Sequence, residues 1–138
     1  MQIFLATHGK MAEGMKTSLD ILLGGASNLT FFNAYVDDRT VESQVEAFLA
    51  KTSNSETRVL VSDIYGGSVC QVLMKYMDQE NTLALTGINL GLLLSLVLYP
   101  EDTITKEELQ RLIDESKQLT CIIDMEEISK YNEDDDIF

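Results

Sequence analysis

The sequence Gln2-Ile3-Phe4-Leu5-Ala6-Thr7-His8-Gly9 decides the predicted fold. Its apolar centre predicts a buried strand over 2–7, and Gly9 interrupts that pattern. Apolar residues then recur at helical spacing and predict a helix from about Lys10 to Leu23, inside which Gly14 predicts a close approach of backbone. His8, the only histidine among 138 residues, therefore lies where a strand is followed by a helix. In a parallel α/β sheet that position is the carboxyl edge, where ligands bind.

The same alternation of strand and helix continues along the chain. Further strands are predicted over 29–36, 57–63, 82–88 and 119–124, and helices are predicted to begin at Thr40, near Ser68, at Asn89 and after Thr105. The pair Thr105 and Glu108 has the spacing of a capping box. Short connections between these elements favour a parallel sheet covered by helices on both faces. We predict one α/β domain, a three-layer sandwich with four strands in the order 2-1-3-4 and an additional C-terminal strand.

The charge of the chain excludes two classes of partner. Asp and Glu number 23 against 10 Lys and Arg, which gives a net charge of −13. A nucleic-acid-binding protein needs a basic patch, and no run of Lys or Arg occurs here, so we expect no nucleic acid and no anionic membrane as partner. The acidic run at 133–136 predicts a solvated tail, which we assign to residues 126–138.

The remaining composition predicts a cytoplasmic protein. Cys70 and Cys121 are too few and too far apart for a disulfide framework or a zinc site. The first residues lack the basic region of a signal peptide, and the apolar stretch 83–98 is too short and too mixed to span a bilayer. We expect neither a metal nor a cofactor.

Two residues at the predicted edge of the sheet have the chemistry of a nucleophile and its orienting group. His8 ends the first strand and Asp63 ends the third, and these strands are neighbours in the order 2-1-3-4. A carboxylate that accepts a hydrogen bond from one imidazole nitrogen fixes the tautomer and leaves the other nitrogen free as a nucleophile. Considered alone, His8 fits a structural residue of a loop equally well, and Asp63 fits a helix cap.

The turn after Asp63 predicts a phosphate-binding role. Gly66, Gly67 and Ser68 precede a helix, so backbone N–H groups and the helix dipole would favour a phosphoryl group beside His8. Ser68 could cap the helix, donate its hydroxyl to the phosphate, or do both. Thr7 could supply a further hydroxyl. A Gly-Gly pair on its own is also typical of an ordinary loop.

Three segments together resemble a known family. They are Ala6-Thr7-His8-Gly9, Ser62-Asp63-Ile64-Tyr65-Gly66-Gly67-Ser68 and Thr86-Gly87-Ile88-Asn89-Leu90. In order and spacing they are similar to the enzyme IIA proteins of the mannose/fructose/sorbose family of the bacterial phosphoenolpyruvate-dependent sugar phosphotransferase system (PTS). The sequence departs from the family pattern at Tyr65, Val69 and Gly91, where tryptophan, proline and proline are common.

The resemblance implies a function for each of these groups. It implies that His8 is phosphorylated at Nε2, that Asp63 orients the ring through Nδ1, and that residues 1–125 form a type-4 (mannose-family) IIA domain. It further implies that the phosphocarrier HPr donates the phosphoryl group, that a IIB component accepts it, and that the membrane components IIC and IID act downstream. It also implies a homodimer, in which the final strand at 119–124 can be exchanged between subunits.

Three other functions remain open from the sequence. Domains of this fold also occur in transcriptional regulators, where phosphorylation is a signal, so a regulatory binding module is one alternative. The phosphoryl-donor subunit of dihydroxyacetone kinase has a similar N-terminal histidine, although the turn from Asp63 to Ser68 fits the sugar-transport family better. A small-molecule binder without turnover is the third, but it would not need a nucleophilic imidazole.

Overall fold

A computed structural model describes residues 1–126 as an α/β sandwich around a four-stranded parallel sheet. The elements in chain order are β1 (Gln2–His8), α1 (Met11–Leu23), β2 (Leu29–Ala34), α2 (Val41–Lys51), β3 (Arg58–Ser62), α3 (Ser68–Met74), β4 (Thr82–Leu85), α4 (Leu90–Val97) and α5 (Lys106–Lys117).

The strand order is β2-β1-β3-β4, as predicted. All three pairings are parallel, so every strand ends at the same edge of the sheet. In register, His8 pairs with Ala34 of β2, and Ala6 pairs with Ser62 of β3. The residues that follow Ala34 and Ser62 therefore flank the end of β1.

The two faces of β1 contribute to two separate cores. Ile3 and Leu5 pack with residues of α1, α4 and α5, whereas Phe4 and Ala6 pack with residues of α2 and α3. All four side chains are essentially inaccessible to solvent. This alternation follows from the two-residue period of a strand, and it explains why the centre of β1, residues 3–6, is continuously apolar, as a central strand of a three-layer sandwich must be.

The helix caps at Thr105 and Thr40 are present as predicted. Thr105 caps α5 by accepting a hydrogen bond from the Glu108 amide at 3.1 Å, and Thr40 caps α2 in the same way through the Ser43 amide. The close approach predicted at Gly14 is wrong, because a Cβ built there meets no heavy atom within 4 Å.

The predicted strand at 119–124 is also wrong for the single chain. Residues 119–124 follow α5 without regular structure, and Ile122 and Ile123 are more than 80% exposed. A strand needs a neighbouring strand to satisfy its backbone groups, and none of the four strands in residues 1–126 pairs with this segment. Most of the predicted acidic tail, from residue 127 onward, lies outside the described residues.

Candidate functional site

The candidate site lies at the carboxyl edge of the sheet, around the end of β1. His8 is the last residue of β1, and Asp63 comes directly after the last residue of β3. The parallel pairing of these two strands brings the side chains together, as predicted for neighbouring strands. The imidazole is 44% exposed, whereas the carboxylate of Asp63 is 11% exposed. A partly exposed imidazole thus lies beside a carboxylate that is mostly covered.

Asp63 is bound to His8 through two hydrogen bonds. Its Oδ2 accepts one from the His8 amide at 2.8 Å and lies 2.8 Å from Nδ1 of the ring. The other oxygen, Oδ1, accepts from the Ile64 amide at 3.0 Å. Because a carboxylate only accepts hydrogen bonds, this contact requires the hydrogen on Nδ1 and leaves Nε2 of the neutral ring with a free lone pair.

The surroundings of Asp63 favour its charged form. Partial burial works against ionisation, but hydrogen bonds from the amide and the ring of His8 more than offset it and hold the pKa of Asp63 below its usual range. The carboxylate is therefore negatively charged at neutral pH. A fixed negative charge beside Nδ1 stabilises the positive charge that the ring acquires when Nε2 is substituted.

The opposite side of the imidazole faces two hydroxyl groups. Ser68 Oγ lies 3.3 Å from Nε2 of His8, and the phenol oxygen of Tyr35 lies 2.5 Å from Ser68 Oγ. The Tyr35 ring also packs against the imidazole, with 5.2 Å between the ring centroids. Nε2 is thus the nitrogen that lies beside the Ser68 hydroxyl, in a ring that is partly exposed to solvent.

The glycine turn sets the distance between α3 and His8. Gly66 has φ +74°, a left-handed conformation that favours glycine. A Cβ at Gly67 would lie 2.8 Å from Cγ2 of Ile64 and 3.4 Å from Cε1 of His8. The Gly67 amide already donates to the Ile64 carbonyl at 3.2 Å, whereas no hydrogen bond within residues 1–126 uses the amides of Gly66 and Ser68. Gly67 therefore contributes space rather than a free N–H group.

Two of the predicted roles in this region are changed by the structure. Ser68 does not cap α3: it is the first helical residue, and Gly67 occupies the cap position without a side-chain bond. Thr7 is fully buried, and its hydroxyl oxygen accepts a hydrogen bond from the Ala12 amide at 2.8 Å. Thr7 thus fixes the start of α1 on the opposite face of β1, and we exclude it from the phosphate site.

Tyr35 is the site residue that the sequence analysis missed. The aromatic run predicts a strand over 29–36 that includes Tyr35, whereas β2 ends at Ala34 and Tyr35 follows with φ +67°. The strand order nevertheless predicts that Tyr35 lies near His8, because residues after the second strand reach the same sheet edge as His8 when the order is 2-1-3-4.

Residues 1–126 were also compared with the requirements of a metal site and of a membrane-spanning helix. No group of three or more His, Cys, Asp or Glu residues in this range is arranged to hold a metal ion. None of the helices formed by the same residues has the length and apolar character needed to cross a membrane.

Comparisons with known proteins indicate the family of this chain. Residues 2–113 match the family model described as "PTS system fructose IIA component". The chain is 25% identical over 114 residues to the PTS system mannose-specific EIIAB component of Escherichia coli K12. This match covers 80% of the chain. It spans only about a third (35%) of the length of that relative.

Solved structures with the same fold come from several bacteria. A putative PTS permease from Klebsiella pneumoniae is 24% identical with a TM-score of 0.79, and the match covers 88% of this chain and 89% of that one. The mannose/sorbose-specific IIA subunit from Enterococcus faecalis is 21% identical with a TM-score of 0.78, covering 90% and 95%. The match of the family model to most of the chain shows that it belongs to the mannose/fructose family of PTS IIA components.

Proposed function

We propose that this chain is a PTS phosphocarrier that accepts a phosphoryl group from phospho-HPr on Nε2 of His8 and passes it to a IIB component. The observation that carries the proposal is the contact between Asp63 Oδ2 and Nδ1 of His8 at 2.8 Å, which leaves Nε2 as the nucleophile of a ring that is 44% exposed. The chain would thus act as a phosphotransferase component through a phosphohistidine intermediate. Sugar uptake and phosphorylation would follow through IIB and the membrane components IIC and IID.

The transfer needs only groups present at this edge of the sheet. The lone pair of Nε2 attacks phosphorus, the bond between phosphorus and the donor breaks, and its electron pair stays with the donor. Nδ1 keeps its hydrogen and remains bound to Asp63, whose charge offsets that of the substituted ring. In the second transfer the nucleophile of IIB attacks phosphorus, and the electron pair of the P–N bond returns to Nε2.

We propose that Ser68 and the turn at Gly66 and Gly67 receive the phosphoryl oxygens. The Ser68 hydroxyl is already 3.3 Å from Nε2, so a group bound to that nitrogen would be within its reach. The amides of Gly66 and Ser68 are available as donors, and Gly67 lets the turn approach the ring. Fixed donors of this kind stabilise the charge of a transferring phosphoryl group.

We also propose that residues 1–125 form the IIA domain and that this domain is cytoplasmic. We further propose that the domain forms a homodimer, in which residues 119–124 of one copy pair with β4 of the other. β4 is an edge strand of the sheet. A groove beside it is lined by side chains that include Met74, Met77 and Leu85. The apolar side chains of Leu119, Ile122 and Ile123 are exposed in the single chain, and burial in such a groove would stabilise them.

The experiment that tests the carrier function is intact-mass spectrometry after mixing the protein with phosphoenolpyruvate, enzyme I and HPr. Wild type should gain the mass of one acid-labile phosphoryl group, and His8→Ala should gain none. Addition of a cognate IIB should then remove the group from the wild type. A folded wild type that gains no mass in the presence of active HPr would contradict the proposal and favour a binding or regulatory module.

A further inference from the structure

We propose that Tyr35 is a positioning residue for phosphoryl transfer, because its hydroxyl donates to Ser68 Oγ and strengthens the hydrogen bond that Ser68 donates in turn. The inference rests on the proposed function of His8 and extends it to a residue outside the histidine, the carboxylate and the glycine turn. The three side chains form one row, from the Tyr35 phenol through Ser68 Oγ to Nε2 of His8.

The direction of the hydrogen bonds in this row follows from Asp63. The carboxylate requires the hydrogen of the neutral imidazole on Nδ1, so Nε2 accepts. Ser68 has one hydroxyl hydrogen, which it must therefore donate to Nε2. With that hydrogen engaged, Ser68 Oγ accepts from the Tyr35 phenol at 2.5 Å. If Tyr35 accepted instead, the Ser68 hydrogen would point away from the ring.

This order prepares Ser68 for the phosphoryl group. When phosphorus approaches, Nε2 uses its lone pair to form the new bond. The Ser68 hydroxyl keeps its hydrogen and donates the hydrogen bond to a phosphoryl oxygen instead of to Nε2. Tyr35 donates its hydrogen bond to Ser68 Oγ throughout, and this bond polarises the Ser68 hydroxyl and makes it a stronger donor. Tyr35 itself need not touch the phosphoryl group, which distinguishes it from a catalytic residue.

Packing alone does not account for the conformation of Tyr35. Its side chain is 61% exposed, so the ring contributes little to either core. Its φ of +67° is a left-handed conformation that residues with a Cβ adopt infrequently. Strained backbone of this kind is concentrated at functional sites. Here Tyr35 directly follows Ala34, the residue in register with His8, and its phenol reaches Ser68.

The test is a double-mutant cycle between Tyr35→Phe and Ser68→Ala, measured as the rate of phosphoryl transfer from phospho-HPr. Tyr35→Phe keeps the ring against His8 and removes only the hydroxyl. It should slow transfer about twofold to tenfold, the effect of one lost hydrogen bond. In the Ser68→Ala background the same change should have no further effect, because Tyr35 acts through Ser68. Tyr99→Phe is the matched control: its phenol bonds Glu108, and Tyr99 lies beside Met1 and Gln2 at the opposite end of β1.

A second readout follows Nε2 directly. The ¹⁵N resonance of Nε2, recorded where the imidazole is neutral, is unambiguous because His8 is the only histidine. It should move downfield in Tyr35→Phe, toward the position of a nitrogen that accepts no hydrogen bond, and stay unchanged in Tyr99→Phe. An unaltered resonance, wild-type transfer by Tyr35→Phe, or equal slowing in both backgrounds would overturn the inference while the proposed function stands. A wild type that takes no phosphoryl group would overturn the proposed function, and this inference with it.

Discussion

Oδ2 of Asp63 accepts two hydrogen bonds from His8, one from its backbone amide and one from Nδ1 of its ring, each at 2.8 Å. The amide bond fixes the carboxylate relative to the end of β1, and the ring bond fixes the imidazole relative to the carboxylate. Asp63 therefore sets both the tautomer and the orientation of His8. The effects expected from changes at this site follow from this double contact.

Asp63→Asn should slow phosphoryl transfer to His8 by about 10- to 100-fold, the range expected for loss of a hydrogen bond to a charged group. The amide oxygen can still accept from the His8 backbone, but it carries no charge to offset that of the phosphorylated ring. With the amide oxygen in the place of Oδ2, the amide nitrogen takes the place of Oδ1 and meets the Ile64 N–H, which then loses its acceptor. The measurement is single-turnover transfer from phospho-HPr with the fold checked by circular dichroism, and a wild-type rate in the variant would refute the role of Asp63.

The same carboxylate makes stability depend on pH. The pKa of Asp63 is lowered in the folded protein, whereas the unfolded chain has an ordinary value of about 4. The resulting stabilisation is present at neutral pH and is lost as pH falls through the folded pKa. The difference in unfolding free energy between wild type and Asp63→Asn should therefore shrink below about pH 5. Urea unfolding at a series of pH values measures it, and a difference that stays constant down to pH 3 would contradict the assignment.

Two glycine substitutions should have opposite effects. Gly67→Ala places a methyl group 2.8 Å from Cγ2 of Ile64 and 3.4 Å from His8, so it should destabilise the fold by about 1–2 kcal/mol and slow transfer. Gly14→Ala lies inside α1 with open space around the new methyl group, so it should stabilise the fold by about 0.5–1 kcal/mol. Thermal unfolding of both variants checks the signs, and a Gly67→Ala protein with wild-type stability and transfer would show that the close approach is unimportant.

The proposed dimer predicts an effect of charge in the C-terminal segment. Ile122→Lys and Ile123→Lys each place a charge where an exchanged strand would bury one of its faces, and burial of an unpaired charge is costly. At least one of them should convert the dimer to a monomer in sedimentation equilibrium, whereas Ile21→Lys, on the exposed surface of α1, should not. A wild-type monomer, or dimers in both variants, would contradict strand exchange.

The sequence was sufficient for the part of the site that depends on topology. Strand order and the carboxyl-edge rule brought His8 and Asp63 together because both residues are at strand ends. Its position along the chain groups Thr7 with His8, but the two residues lie on opposite faces of β1. Successive residues of a strand point to opposite sides, so Thr7 points toward α1 when His8 points toward α3.

Other features depend on contacts that no local pattern encodes. The segment 119–124 has the composition of a strand, but no strand within residues 1–126 pairs with it. Tyr35 looks like the end of an aromatic strand, and its role depends on a backbone conformation and on a hydroxyl of α3 that is 33 residues away in sequence. Neither can be predicted from hydrophobic periodicity.

The most direct test of the account is to locate the phosphoryl group on the imidazole by ¹⁵N and ³¹P NMR. The protein is labelled with ¹⁵N-histidine and phosphorylated by phosphoenolpyruvate, enzyme I and HPr, so that its single histidine gives the only imidazole signals. The account predicts ³¹P coupling to Nε2, with Nδ1 still protonated and bound to Asp63. Coupling to Nδ1, or phosphorylation at a residue other than His8, would contradict it.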